Sequence, residues 1–318
     1  MNEILNYNGG RLAERKEITQ DLFNRFIAYL DTSDKTIETY KTSLKQLFIY
    51  LQENEITRPQ RADIIAYRDA LKASGHKPTT IQNYITAAKL FFRWTAQEGF
   101  YPNITDHLKG ARLDNAPKKD YLTSTQASEI LNGIDRTSLQ GKRDFAIFLL
   151  MVTGGLRDIE VARANIEDLR TAGNNTVLYI QGKGREEKTD YIIITAPVEK
   201  AIRDYLQTRP NADAAEPLFT SQSHNSQGGR LTTRSVSRII KTAMRAAGYD
   251  SERLTAHSLR HTAVTLSFIG NEEATRVQEF ARHSNINTTM IYNHSLEKAK
   301  NTCSQTITNM ILQGLQTV

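Results

Sequence analysis

The chain has 318 residues, of which 39% are hydrophobic and 24% are charged, and a formal net charge of +6 at pH 7. This composition is typical of a globular protein long enough for two domains, and it excludes disordered and fibrous classes. No apolar run approaches the roughly 18 residues that cross a bilayer, and the first residues lack a secretory signal. The single cysteine, Cys303, excludes an intramolecular disulfide framework and a thiolate metal cluster, and is consistent with a reducing cytoplasm. The positive charge favours a polyanionic partner.

Residues 18–108 show apolar residues at helical spacing in four successive segments, which predicts four amphipathic helices joined by short loops. The second helix follows Ser33, a residue type that commonly caps helix N-termini. The fourth, in PTTIQNYITAAKLFFRWTAQEG, has Thr79 and Gln82 at the spacing of a capping box and ends at Gly99. These features predict one compact helical domain.

A polar segment then divides the chain. Residues 109–120, KGARLDNAPKKD, lack an apolar period and predict an extended linker, and residues 1–17 are interpreted as an N-terminal extension. Residues 121–318 form the predicted second domain, with two helices, two β-rich runs around a glycine-containing turn at 175–195, and further helices from Pro197 onwards. The predicted fold class is mainly α with two domains, the second being α+β with a small antiparallel sheet.

Two cations of the second domain follow or lie between glycines. Arg157, in TGGLRDIEV, comes at the start of a predicted helix; taken alone it is most simply a surface arginine. Lys183, in IQGKGREEK, lies at the predicted hairpin tip. A lysine there is usually solvated, but glycine on both sides also lets a backbone approach a ligand closely.

The stretch TAHSLRHTAVT places His257 and Arg260 three residues apart, on one face of a predicted helix. His257 and His261 have the spacing of a zinc-binding helix. Arg260 lies between them, however, and would repel a cation, and no acidic residue occurs from Arg253 until Glu272. A structural histidine pair is one alternative. We favour an anion site, because the planar fork of arginine binds phosphate through two hydrogen bonds.

His283 and Tyr292 lie nine residues apart in ARHSNINTTMIYNHS. A tyrosine in an amphipathic segment is most often a core residue. The set is more informative than any member, since six candidates occur in order, each in a recognisable local setting: Arg157, Lys183, His257, Arg260, His283 and Tyr292.

In these motifs the second domain resembles the catalytic domain of the tyrosine recombinases, also called the phage integrase family. The segments TGGLRDIE, GKG, HSLRHT and HSNINTTMIYNH match its four local motifs and fill all six family positions. The first domain and linker resemble the SAM-like core-binding domain and hinge, so the likeness covers roughly residues 18–300. The chain departs at Arg282, where the family usually has glycine, which puts the local backbone geometry in question.

The resemblance implies a site-specific recombinase or integrase in which Tyr292 attacks a DNA phosphodiester and forms a covalent 3′-phosphotyrosine. A protonated tyrosine, with a reference pKa near 10, needs a group that takes its proton. Arg157 and Arg260 would bind the non-bridging oxygens as charge develops on them. Such cations replace the metal ions of other phosphoryl-transfer enzymes, so no cofactor and no metal is expected.

The remaining roles also come from the resemblance. Lys183 would protonate the leaving 5′-oxygen, His257 would act as general base, and His283 would bind a phosphate oxygen. Glu160, three residues after Arg157, is either an orienting partner or an ordinary surface carboxylate. Strand exchange through a Holliday junction and religation would then need no ATP.

Candidate DNA contacts form a basic stripe on one predicted helix, although a solvated face is the alternative. Weaker candidates lie in the first domain. The stripe consists of Arg234, Arg238, Lys241 and Arg245, and the first-domain set of Lys41, Lys45, Lys77, Lys89 and Arg93.

After Tyr292 an apolar stripe predicts a terminal helix that packs either on its own core or, as the resemblance suggests, on a neighbouring protomer. The stripe is Leu296, Ala299, Cys303, Ile307 and Met310.

The expected partners are double-stranded DNA with inverted-repeat core sites, further copies of the chain (a dimer on one site, a tetramer in the synapse) and an accessory directionality factor. With only 17 residues ahead of the helical domain, no arm-binding domain is expected. The protein is expected to act at the nucleoid in the cytoplasm of a bacterium. Its gene is expected to belong to the bacterium, to a phage or to a mobile element. A topoisomerase and a catalytically idle DNA-binding module are the alternatives.

Overall fold

The computed structural model describes residues 18–112, 120–182, 184–299 and 301–316. The chain divides into two compact units, Met1–Asp114 and Asn115–Val318. Residues 1–17, the predicted extension, and residues 113–119 of the predicted linker lie outside the described residues. None of the described helices combines the length and the apolar character that crossing a membrane requires.

Helical periodicity correctly predicted the first unit, which contains α1 (Gln20–Tyr29), α2 (Asp34–Glu53), α3 (Arg61–Ala73) and α4 (Pro78–Gln97). Its core is aromatic. The rings of Phe26 and Phe91 meet edge to face with centroids 5.4 Å apart, and Trp94 lies against both. Such edge-to-face pairs stabilise a small core beyond the apolar area that they bury.

The predicted capping box of α4 is wrong. The helix begins at Pro78, and Lys77 is its N-terminal capping residue, so Thr79 and Gln82 lie inside the helix. Proline is favoured at the first helical position because it has no N–H to leave unpaired and its φ is already helical. Ser33 does precede α2, but its hydroxyl is bonded to the Thr36 hydroxyl rather than to a main-chain N–H.

The second unit is α+β, as predicted. Its elements are α5 (Ser124–Asn132), α6 (Leu139–Gly154), α7 (Asp158–Arg163), β1 (Leu169–Ala172), β2 (Asn175–Ile180), β3 (Asp190–Ile194), α8 (Ala196–Leu206), α9 (Thr233–Ala246), α10 (Ala256–Ile269), α11 (Ala274–Ala281), α12 (Ile286–Ala299) and α13 (Cys303–Gln316). The core lies between α6, which is buried along most of its length, and the helices and sheet that surround it.

The sheet is antiparallel in the order β1-β2-β3. The predicted hairpin is β2 and β3, with Tyr179 opposite Tyr191. Strand β1 was not predicted; it pairs with β2 through a tight turn at Gly173 and Asn174. Gly173 has φ +58°, and a Gly-Asn pair between two short runs is a hairpin signal. The strand was missed because β1 has only four residues and no buried alternation.

Gly155 ends α6 and brings α11 close to the following loop. Its φ of +59° favours glycine, and a Cβ there would lie 3.1 Å from the Phe280 ring. The chain then turns into α7 at Arg157. This close approach joins the α6–α7 loop to the end of α11, and the predicted catalytic residues Arg157 and His283 follow directly from these two places.

Candidate active site

Arg260 lies on α10 and is 2% exposed, which is unusual for an arginine. Its Nη1 donates to the Gly155 carbonyl at 2.7 Å and its Nη2 to the Ala281 carbonyl. Burial, reinforced by the charge of Arg157, lowers the pKa of Arg260 to about 9, so the side chain is still a cation at pH 7. Two carbonyls therefore fix its guanidinium in place.

Glu160 holds Arg157 at the start of α7. One carboxylate oxygen, Oε1, lies 2.8 Å from Arg157 Nη1, and the other, Oε2, accepts the main-chain N–H of Arg157 at 2.8 Å. The carboxylate is 1% exposed, whereas Arg157 keeps about a third of its side-chain surface. The structure thus makes Glu160 an orienting partner rather than a surface carboxylate, and leaves part of Arg157 open to a ligand.

Arg282 completes this network at the end of α11. Its φ is +54°, the left-handed conformation that glycine adopts most easily. The doubt about backbone geometry is therefore resolved: the arginine keeps the conformation that a glycine there would favour. Its Nη2 reaches Glu160 Oε2 at 3.1 Å and the Gly155 carbonyl at 3.1 Å. Sequence reasoning flagged the position but not this contact.

His283 is held at both ends by its neighbours. Its Nδ1 lies 2.8 Å from the hydroxyl of the buried Thr289, and its carbonyl accepts from Gln278 Nε2 at 2.9 Å. Burial, and after it the positive charge of Arg260, lowers the pKa of His283 to about 4. The imidazole is therefore neutral at physiological pH.

Tyr292 lies on α12 and packs, half-buried, against a small cluster that includes Val264 and Ala281. Its ring is stacked with that of His283, with centroids 6.4 Å apart and planes 9° apart. Burial raises the pKa of the phenol, and the charge of Arg260 opposes this rise. The hydroxyl is therefore protonated at neutral pH and lies within electrostatic reach of Arg260.

A histidine that the sequence analysis considered only as part of a metal or structural pair lies beside the tyrosine. The ring of His261 meets Tyr292 edge to face at 5.0 Å and meets His257 in the same way at 4.7 Å. The two histidines thus belong to one row of rings that continues through Tyr292 to His283. Among the described residues, no group of three or more His, Cys, Asp or Glu side chains is arranged to hold a metal ion.

The structure brings together five of the six predicted residues, on α7, α10 and the α11–α12 segment. Shared contacts with Gly155, Glu160 and Arg282 link the two arginines, ring contacts link the histidines and Tyr292, and the charge of Arg260 acts on both His283 and Tyr292. The five residues are Arg157, His257, Arg260, His283 and Tyr292. The sixth, Lys183, lies outside the described residues. The hairpin that would carry it is tied near its tip, because Arg163 Nη1 donates to the Gly182 carbonyl at 3.2 Å.

The predicted basic stripe lies on α9, but its members differ. Arg234 and Arg238 are exposed, and the structure gives them no ion-pair partner among the described residues. Lys241 and Arg245 both pair with Asp250, at 3.2 and 2.7 Å. Asp250 lies five residues after Arg245, outside the predicted stripe, so the sequence pattern did not reveal that one carboxylate pairs with two of the four cations.

The first-domain candidates lie in three places. Lys41 and Lys45 are one turn apart on α2, and Lys41 is paired with Glu38 at 2.9 Å. Lys89 and Arg93 are one turn apart on α4, and Lys77 is the residue before that helix. Each pair therefore shares a helix face.

The predicted continuous apolar stripe at the C-terminal end is interrupted. Helix α12 ends at Ala299 and α13 begins at Cys303, whose N–H is accepted by the Asn301 side chain at 2.9 Å. Leu296 packs against the cluster around Tyr292, whereas every described side chain from residue 303 to 313 is exposed. In the described residues, α13 does not pack on its own core.

A four-helix unit followed by an α+β unit with this arginine, histidine and tyrosine set defines a tyrosine recombinase, an enzyme that breaks and rejoins DNA strands. The chain belongs to the phage integrase family, whose profile matches residues 120–299, and the profile of the phage integrase N-terminal SAM-like domain matches residues 23–99.

Individual relatives agree with this assignment. The chain is 30% identical to the tyrosine recombinase XerC of Caldanaerobacter subterraneus subsp. tengcongensis, across 83% of this chain and 69% of the relative. It shares its fold with the XerH site-specific recombinase bound to palindromic difH substrate in a post-cleavage complex (TM-score 0.68, 21% identity, 85% of this chain and 80% of that chain). It also shares its fold with a lambda integrase dimer bound to a COC′ core site (TM-score 0.65, 16% identity, 84% and 94%).

Proposed function

We propose that the chain is a site-specific recombinase or integrase that cleaves one DNA strand at a time through Tyr292. The 3′-phosphotyrosine so formed is resolved by strand exchange through a Holliday junction, without ATP or metal. The observation that carries this proposal is the fixed guanidinium of Arg260, linked through shared contacts to Arg157 and within electrostatic reach of the Tyr292 phenol.

In the cleavage step the phenolic oxygen of Tyr292 bonds to phosphorus and the bond from phosphorus to the 5′-oxygen breaks. Arg157 and Arg260 bind the non-bridging oxygens, on which negative charge grows. Because their protein partners already orient both guanidiniums, little reorganisation is needed as the charge appears; removing one such donor typically costs about 3 kcal/mol of barrier. In religation a 5′-hydroxyl attacks the phosphotyrosine and restores the phenol, so the bond energy is conserved.

Two protons move in the first step. The phenol loses its proton to His257 as it attacks, and the 5′-oxygen gains one from the Lys183 ammonium. We assign His283 a binding role instead, because a pKa near 4 keeps it neutral. We assign the Thr289 hydroxyl as the donor to Nδ1, which lies 2.8 Å away. The proton of the neutral imidazole is then on Nε2, which can donate to a phosphate oxygen.

We assign residues 18–108 the role of a core-binding domain, residues 109–120 that of a linker, and residues 121–318 that of the catalytic domain. DNA contacts would come from the cations on α2 and α4 in the first unit and from α9 in the second. Of the α9 stripe, Arg234 and Arg238 are the stronger candidates, since Asp250 already pairs with Lys241 and Arg245.

The partner is double-stranded DNA with inverted-repeat core sites, as the palindromic substrate of XerH suggests. We expect a dimer on each site, the assembly found for lambda integrase, and a tetramer when two sites meet. The exposed α13 supports such assembly as a C-terminal exchange helix that docks on a neighbouring copy. Bacterial relatives such as XerC fit a protein that acts on DNA in the cytoplasm.

The test is covalent trapping. Binding sites are first selected from randomised inverted repeats, and a nick is then placed beside the scissile phosphate so that the cleaved fragment diffuses away. We expect the wild type to yield an adduct that survives denaturation. Tyr292→Phe should bind the same DNA with unchanged affinity and yield none, whereas the control Tyr191→Phe, an exposed tyrosine on β3, should behave like the wild type.

Each outcome separates the alternatives. An adduct in Tyr292→Phe would show that another residue is the nucleophile. With paired sites on supercoiled DNA, recombinant products support the proposal, relaxation alone would indicate a topoisomerase, and binding alone would indicate an idle DNA-binding module.

A further inference from the structure

Arg282 has an unusual combination of properties. It is a non-glycine residue at φ +54°, its side chain is 11% exposed, and its guanidinium donates to two main-chain carbonyls and to the Glu160 carboxylate. A left-handed conformation is unfavourable for a residue with a side chain, because its Cβ comes too close to the following carbonyl oxygen. In addition, its buried Nε has no hydrogen-bond partner among the described residues. These are two costs that a glycine would not bear.

The guanidinium of Arg282 joins two separate segments. Nη1 donates to the Phe280 carbonyl at 2.8 Å, within its own segment, while Nη2 donates to the Gly155 carbonyl before α7 and to Glu160 in the first turn of α7. The residue after Arg282 is His283, and α12 with Tyr292 follows. Arg282 thus ties the segment that carries the nucleophile to the loop that carries Arg157.

The two acceptors of Arg282 at the start of α7, Gly155 and Glu160, also accept from the two arginines that we assign to the phosphate. The Gly155 carbonyl accepts from both Arg260, at 2.7 Å, and Arg282, at 3.1 Å. The Glu160 carboxylate binds Arg157 through Oε1 and Arg282 through Oε2. One buried carboxylate therefore faces two guanidiniums, and its position depends on both.

We propose that Arg282 is a positioning residue: its guanidinium fixes Glu160 and the Gly155 carbonyl, and through them the orientation of Arg157 and Arg260 towards the scissile phosphate. The inference rests on the proposed function of Tyr292 and its two arginines. It predicts that the side chain matters for the rate of cleavage and little for the affinity for DNA, because Gly155 and Glu160, its partners in the other segment, are buried.

Glycine and lysine at this position separate a role of the side chain from a role of the backbone. Arg282→Gly relieves the left-handed strain but removes the guanidinium. Arg282→Lys keeps the strain and the charge, but one ammonium lacks the planar fork that serves three acceptors. If the side chain positions Glu160, the single-turnover cleavage rate on the nicked substrate falls in the order Arg, Lys, Gly. If only the backbone matters, the glycine variant cleaves at least as fast as the wild type, and the lysine variant cleaves no faster than the wild type.

We expect Arg282→Gly to cleave at least about tenfold more slowly than the wild type. Its Kd for the same DNA should stay within about twofold of the wild-type value. Its melting temperature should be higher than that of Glu160→Gln. In the Glu160→Gln background, the further change Arg282→Gly should cost far less than it does alone, because both changes break one linkage. The control Arg276→Ala removes an exposed arginine of α11, paired only at 3.8 Å or more, and should leave cleavage unchanged.

Cleavage by Arg282→Gly at the wild-type rate, or fully additive losses with Glu160→Gln, would overturn the inference while leaving Tyr292 as nucleophile. Absence of any wild-type adduct would instead refute the proposed function. A loss of DNA binding equal to the loss of cleavage would assign Arg282 to substrate binding and also overturn the inference.

Discussion

Both oxygens of Glu160 are bound to Arg157, one to its Nη1 at 2.8 Å and the other to its main-chain N–H at 2.8 Å, while the second oxygen also faces Arg282. This carboxylate has 1% of its surface exposed, and these donors surround it. It cannot be removed without leaving buried cations uncompensated.

We therefore predict that Glu160→Gln lowers the free energy of unfolding by about 3 kcal/mol, the usual consequence of breaking a buried ion pair. Cleavage of the nicked substrate should slow as Arg157 loses its fixed orientation. Denaturant unfolding measures the first effect and adduct formation the second. The control is Asp204→Asn, which breaks the exposed pair with Lys200 at 2.7 Å and should cost less than about 1 kcal/mol. Equal losses in the two variants would contradict the prediction.

His283 should titrate near pH 4 rather than at its ordinary value of 6.5, because burial and then the charge of Arg260 disfavour the imidazolium. The sign follows from linkage. Above pH 6.5 the imidazole is neutral in the folded and in the unfolded chain. As the pH falls towards 4, the unfolded chain takes up a proton that the folded chain does not, so the free energy of unfolding decreases.

The measurement is an NMR titration of the imidazole, assigned by comparison with His283→Gln. Arg157→Gln removes one of the neighbouring charges but leaves the burial, so the pKa should rise and still stay below 6.5. A wild-type pKa near 6.5 would show that the ring is neither buried nor close to the arginines, and would remove the basis for assigning it a neutral, proton-donating role.

The four cations of α9 should contribute unequally to DNA binding. Arg238 is exposed and has no ion-pair partner among the described residues, whereas Lys241 donates to the carbonyls of Ser251 and Leu254 and also pairs with Asp250. A phosphate contact by Arg238 would release counterions, so Arg238→Ala should reduce the slope of log K against log salt by about one. Lys241→Ala should change it less. A larger change for Lys241 would show that DNA displaces Asp250.

The sequence predicted those features that depend on local pattern. Four apolar periods gave the helices of the first unit, and four short motifs predicted residues of which five form one linked group. It did not predict contacts between distant segments. The pairing of Glu160 with Arg282 spans 122 residues, and that of His261 with Tyr292 joins two helices; neither has a signature in the spacing of residues along the chain.

Local signals also competed in ways that the pattern alone did not resolve. Proline at position 78 prevailed over the capping-box spacing of Thr79 and Gln82, since proline restricts the backbone directly and a side-chain cap is optional. The short strand β1 was not predicted because its four residues, LRTA, show no alternation of apolar and polar side chains. At the C-terminal end, the apolar stripe indicated one continuous helix. A new helix begins at Cys303 instead, and its first N–H is accepted by the Asn301 side chain.

The apolar face of α13 should act between copies of the chain rather than within one. Ile307 and Ile311 lie one turn apart and are 57% and 60% exposed, so replacing both with Asp removes no packing from a single chain. We expect the double variant to keep its stability within about 0.5 kcal/mol, as surface substitutions usually do, and to bind one core site as before. Complexes of four chains on two sites should be lost, because two carboxylates would be buried at the interface.

Native gels and sedimentation on paired-site DNA measure the loss of these complexes. The matched control replaces Gln305 and Asn309, a hydrogen-bonded polar pair on the same helix, with Asp; it adds the same charge away from the apolar residues and should assemble normally. Normal assembly of the Ile307 and Ile311 variant, or equal loss in the control, would show that α13 does not join the protomers through this face.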